Sequence, residues 1–179
     1  MKKKIINTLF IVGLIFYILF VLWNILFKYV SPLELFSTNR YFSRTLNLIP
    51  FNDILNGYYN KLDIFGNIIL FIPLGIYINI IMKNNKALKN IYIKALKNIY
   101  IIVVISLLLE TIQYIFGIGA SDITDIITNT IGGILGIFIY MILKNLFVKD
   151  FKVKSFITIC SILIMLPVTL LLIAIIAHN

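Results

Sequence analysis

Five runs of about twenty predominantly apolar residues dominate the chain, and they leave it one kind of solvent. A hydrocarbon layer about 30 Å thick takes about 20 helical residues to cross. The runs extend from about Ile5 to Phe27, Asp63 to Met82, Ile99 to Gly117, Asp122 to Leu143 and Phe156 to Ala177. With 61% hydrophobic and 13% charged residues among 179, no soluble core of this size can hide the apolar surface. The predicted fold is an all-α membrane protein. It is one compact bundle of about five transmembrane helices covering residues 1–179, with a long, partly interfacial first outer loop. The first run follows Lys2, Lys3 and Lys4, as a signal peptide would. It is too long for one and no small-residue cleavage site follows, so it is expected to stay.

Orientation is read from the basic residues. With the N-terminus inside and the C-terminus outside, the inner segments carry Lys2, Lys3, Lys4, Lys83, Lys86, Lys89, Lys94, Lys97, Lys144, Lys149, Lys152 and Lys154. The outer segments carry only Lys28, Arg40, Arg44 and Lys61. The net charge of +9 therefore points to anionic lipid at the inner leaflet and not to nucleic acid. The acids run the other way. Glu34, Asp53, Asp63, Glu110, Asp122 and Asp125 fall outside or in the outer half of a span, and only Asp150 is inside. Topology signals depend little on acids, so their segregation suggests a functional site open to the outside.

Two connecting segments are unusual. The loop from about Lys28 to Leu62 is long and carries Tyr29, Phe36, Tyr41, Phe42, Phe51, Tyr58 and Tyr59. Ser31 and Pro32 form a helix-start signal, and Pro50 and Asn56-Gly57 are breaks. Such a segment can lie along the interface with its aromatics at headgroup level, either as a plain lid or as part of a site. The second is a tandem copy, KALKNIYI, at residues 86–93 and 94–101. It reads as a local duplication that lengthens the inner end of the third helix.

Chemistry concentrates in the third and fourth spans. Ser106, Glu110, Gln113 and Gly117 share one face of the third, within about 60°. A carboxylate some 10–13 Å below the helix end is costly against lipid, so Glu110 is expected to face the bundle or water. In the fourth, Asp122, Asp125, Asn129, Gly132, Gly133 and Gly136 fall within about a 100° arc. Its glycines permit close helix approach. The short link makes the two spans an antiparallel hairpin, so Glu110, Gln113, Asp122, Asp125 and Asn129 are expected to line one outward pocket. The competing interpretation is a helix-packing polar zipper. Asp63 and Asn67 add a polar face near the outer end of the second span. Pro73 and Gly75 are expected to bend or break that span, as a packing kink or for a ligand.

Three blocks resemble the VanZ-like family of bacterial membrane proteins across about residues 44–140. They are RTLNLIPF from Arg44 to Phe51, GNIILFIPLG from Gly66 to Gly75, and Glu110 and Gln113 followed by Asp122, Asp125, Asn129 and Gly132. The resemblance implies a multi-pass protein of the bacterial cytoplasmic membrane. It also implies a link, in some members, to reduced susceptibility to glycopeptides such as teicoplanin. It brings no settled reaction. It carries over Arg44, Asn47, Pro50, Asn67, Pro73, Gly75, Glu110, Gln113, Asp122, Asp125, Asn129 and Gly132. The chain departs from the family pattern in two places. It reads Gly119-Ala120-Ser121 where many members have an Arg, and Thr124 where many have a third Asp.

Three functional classes follow. One is an envelope factor that binds a lipid-linked cell-wall intermediate, another peptidoglycan-related ligand or a glycopeptide. In it Arg44 meets a phosphate or carboxylate and the acids accept hydrogen bonds. The second is a metal-dependent enzyme acting on a lipid phosphate, with a divalent cation at Glu110, Asp122 and Asp125. Against it, no span holds a histidine, and His178 is terminal. The third is a small transporter with Glu110 as proton site, but no inverted repeat is visible. Cofactors are otherwise expected to be absent, and membrane lipids are the expected surroundings.

Overall fold

The structure is a computed structural model and describes residues 2–28, 30, 37, 42–57, 61–82, 91–147 and 149–178. The expected helix start at Ser31 and Pro32, Arg40, the aromatics Tyr29, Phe36, Tyr41, Tyr58 and Tyr59, and residues 86–90 of the first repeat copy lie outside them.

Five long helices carry the five apolar runs, and each is long and apolar enough to cross a membrane. They are α1 (Lys2–Leu26), α3 (Lys61–Met82), α4 (Ile91–Phe116), α5 (Ile123–Leu146) and α6 (Asp150–His178). This is a multi-pass membrane protein. A helix is the one open-ended element that satisfies every backbone group inside hydrocarbon, and large apolar side chains such as Leu19, Leu62, Ile69 and Leu163 are more than half exposed. The second repeat copy, at residues 94–101, is helical and extends α4 at its start.

Between α1 and α3 lie a strand, β1 (Ser43–Asn47), and a one-turn helix, α2 (Asn52–Leu55). The link between α4 and α5 is also a strand, β2 (Ile118–Asp122), and it pairs in parallel with β1. The register runs from Ser43 opposite Ile118 to Asn47 opposite Asp122. This two-stranded sheet is absent from the sequence-based expectation. At Pro73, where a bend or a break of α3 is expected, there is no break. The helix continues through it as one element. In hydrocarbon a break exposes several backbone groups, whereas a helical proline gives up one N–H.

Two compact units divide the chain, Val21–Met141 and Met1–Phe20 with Ile142–Asn179. In the second, Val153, Ile157 and Thr158 of α6 are buried, the Lys154 ammonium sits 4.3 Å from the Phe10 ring centre, and Lys144 pairs with Asp150. All candidate site residues belong to the first unit. There α3 and α5 touch backbone to backbone. A Cβ on Gly132 would lie 2.2 Å from the Ile68 carbonyl oxygen, and one on Gly136 would lie 2.0 Å from that of Ile72. A Cβ on Gly75 would lie 2.1 Å from the Gly133 carbonyl oxygen, and one on Gly133 2.7 Å from the Ile102 side chain. Small residues are what such an approach requires. Asn98 of α4 donates to the Asn79 side chain at 2.9 Å, and Asn79 donates to the Gly75 carbonyl at 2.8 Å, tying α4 to α3.

Candidate ligand-binding site

The site is organised by the short sheet. Gly117 ends α4 with φ +57°, a conformation glycine adopts without penalty, and turns the chain into β2. β2 then runs straight into α5, with Asp122 at the junction. One Asp122 carboxylate oxygen accepts from the Thr124 backbone N–H at 2.7 Å, satisfying a donor in the first turn of α5. The other accepts from the Asn47 side chain at 3.0 Å. The Asp122 N–H donates to Glu110 Oε2 at 2.9 Å. One aspartate thus joins α4, α5 and β1.

The segment after β1 is held by a second set of bonds. Asn47 Oδ1 accepts from the Ile49 N–H at 3.3 Å, and Asn52 N–H closes a turn on the Ile49 carbonyl at 3.3 Å. Pro50 occupies the second position of that turn, where its fixed φ fits. Phe51 follows with φ 58°, the one described non-glycine residue with positive φ, and its N–H donates to Thr124 Oγ1 at 2.9 Å. Thr124 therefore holds a strained backbone position in place.

A polar chamber of about 110 Å³ lies beside this junction. Its walls include Lys28, Phe51, Asp63, Asn67, Gln113, Asp122, Thr124 and Asp125. Lys28 and Asp63 form an ion pair at 2.5 Å, each about one-third exposed. Gln113 is buried and donates to the Ile25 carbonyl at 2.8 Å, one of the unpaired carbonyls at the end of α1. Its Oε1 has no hydrogen-bond partner among the described residues, while the Asn67 side chain meets the Asp125 carboxylate. Both residues line the chamber. A buried, unpaired polar atom costs about 1–3 kcal/mol, so the chamber asks for water or a ligand.

Glu110 opens elsewhere. It is 1% exposed, and with Asn47 and Asp122 it lines a separate, apolar groove of about 310 Å³. Its side chain also meets the Ser121 hydroxyl, on the same groove. Asn129 lines neither cavity. It is fully buried and donates to Ser106 Oγ at 3.0 Å, one turn along α4 from Glu110. Arg44 also stands apart from the chamber. It donates to the Ile115 carbonyl at 2.9 Å and stacks 4.7 Å over the Phe42 ring. The single pocket expected from helix faces is thus divided. Gln113, Asp122, Asp125, Asp63 and Asn67 meet in the chamber, Glu110, Asn47 and Asp122 meet in the groove, and Gly132, Gly133 and Gly136 pack α5.

No group of three or more His, Cys, Asp or Glu among the described residues is placed to hold a metal ion. Sequence reasoning missed Thr124 and Phe51 as site residues. Both carried a signal: Thr124 stands at a departure from the pattern the chain resembles, and Phe51 closes the RTLNLIPF block.

A family model described as VanZ/LLP1 matches residues 14–144. "Protein VanZ" of Enterococcus faecium is 39% identical over 124 residues, covering 69% of this chain and 68% of the relative. No solved structure matches.

Proposed function

This chain belongs to the VanZ/LLP1 family, and from that premise we propose that it is a cell-envelope factor whose polar chamber binds a ligand from outside the cell. The ligand class is a lipid-linked cell-wall intermediate or a related peptidoglycan fragment, and the outcome is reduced susceptibility to glycopeptides such as teicoplanin. The observation that carries the reading is the unpaired Gln113 Oε1 on the wall of a chamber with three aspartates. Such walls suit a ligand rich in hydroxyl and amine donors with a few acceptors. Ionisable residues are expensive inside a membrane protein, and three aspartates gather on these walls.

The orientation belongs to the same proposal. Lysines concentrate on the segments assigned inside, which supports an α4–α5 junction and chamber on the outside. Single cysteines at Asn90, Ala120 and Asn179 in a Cys160→Ala background test it with an impermeant thiol reagent. Ala120 and Asn179 label in intact cells and Asn90 does not; labelling at Asn90 overturns the outward chamber. The function itself is tested by expressing the chain in a susceptible bacterium and measuring teicoplanin inhibition. A raised inhibitory concentration relative to empty vector supports the reading. An unchanged one, with the protein present in the membrane, removes it.

A further inference from the structure

The apolar groove has a chemistry of its own. Leu46, Leu48, Leu107, Tyr114 and Ile126 line it, and the three leucines are more than half exposed. In a bilayer the exposed leucines face hydrocarbon, while Glu110, also on the groove's lining, is only 1% exposed. Arg44 and Leu46 lie two residues apart on the same side of β1, and the Arg44 guanidinium bonds the carbonyl of Ile115, next in sequence to the groove residue Tyr114. The Arg44 bond to the Ile115 carbonyl uses one of five guanidinium N–H donors. That bond and the Phe42 ring hold the planar fork in a fixed position, and a preset fork loses little entropy on meeting a phosphate.

We propose that Arg44 and the Leu46–Leu107–Ile126 groove form a binding site for one anionic phospholipid, with the phosphate on the Arg44 guanidinium and an acyl chain along the groove. The site is separate from the polar chamber, whose walls do not include Arg44, and the proposal does not depend on the chamber's function. A single cation at the membrane surface contributes about 1 kcal/mol toward anionic lipid, so the preference it confers is about fivefold.

The test uses the purified full chain in nanodiscs of mixed phosphatidylglycerol and phosphatidylcholine, with retained lipid counted by native mass spectrometry after release into detergent. The wild-type protein retains phosphatidylglycerol about fivefold over phosphatidylcholine. Arg44→Gln keeps a donor for the Ile115 carbonyl but loses the charge, and its preference falls to none. Leu107→Trp fills the groove from its exposed wall and lowers retention with Arg44 intact. Asp125→Asn, in the chamber, leaves the preference as it is. The proposal is overturned by a wild-type protein without preference or by an Arg44→Gln variant that keeps it. Full retention in Leu107→Trp removes the groove. Loss in Asp125→Asn equal to that in Arg44→Gln removes the separation of the two sites.

Discussion

α5 and α6 follow one another in the chain and cross the same thickness of lipid, yet they do different work. In its most apolar window α5 is 33% buried inside the protein and α6 is 17%. The difference tracks small and polar residues. α5 buries Thr124, Thr128, Asn129, Gly132, Gly133 and Gly136. Asn129 reaches Ser106 on α4, Thr124 holds the Phe51 backbone, and the glycines meet α3. In α6, Ser155, Thr158, Ser161 and Thr169 each donate to a carbonyl one turn earlier in their own helix. Apolar content tells which segments cross the membrane. The placement of small and polar residues tells which of them are packed against neighbours and which face lipid.

The largest effect should come from Gly136→Leu. Its Cβ would sit 2.0 Å from a backbone oxygen that has no room to move without shifting α3. The expected cost exceeds about 3 kcal/mol, read as loss of a monodisperse peak in mild detergent. A Gly136→Leu protein that purifies like the wild type would end the contrast between the helices. Ser106→Ala is the intermediate case. It leaves the buried Asn129 amide without its acceptor, at about 1 kcal/mol and a melting-point fall of about 2–4 °C. On α6, Ser155→Ala removes only an intrahelical bond and should change stability by less than about 0.5 kcal/mol. Cys160→Ala should be smaller still, with full function kept. A large loss in either α6 variant would show that this helix is more than scaffold.

The five crossings were legible because each apolar run is long enough to admit no other element. The polar faces of α4 and α5 were legible because helical spacing puts Glu110 with Gln113, and Asp125 with Asn129, on a common side. The division of the pocket was not. Helix angles give direction but not the position of the Asp122 backbone, whose N–H turns Glu110 away from the chamber and toward the groove. The parallel pairing of β1 with β2 was also hidden. Two five-residue strands about seventy residues apart leave no periodic signal. It brings the RTLNLIPF block against the α4–α5 block: Asn47 meets Asp122, and Phe51 meets Thr124. Asn79 and Asn98 were passed over although a polar residue within an apolar run was the available clue. Each looks inert until its partner is known.

The central claim is that the chamber's charge carries the function and is not packing filler. Asp125→Asn keeps the shape and removes the charge from the chamber's wall. Teicoplanin susceptibility is measured in cells carrying either form, with membrane abundance quantified in parallel. Asp125→Asn is expected to accumulate to the wild-type level and to give no protection. A variant that protects as well as the wild type at equal abundance would contradict it and return the aspartates to a structural role.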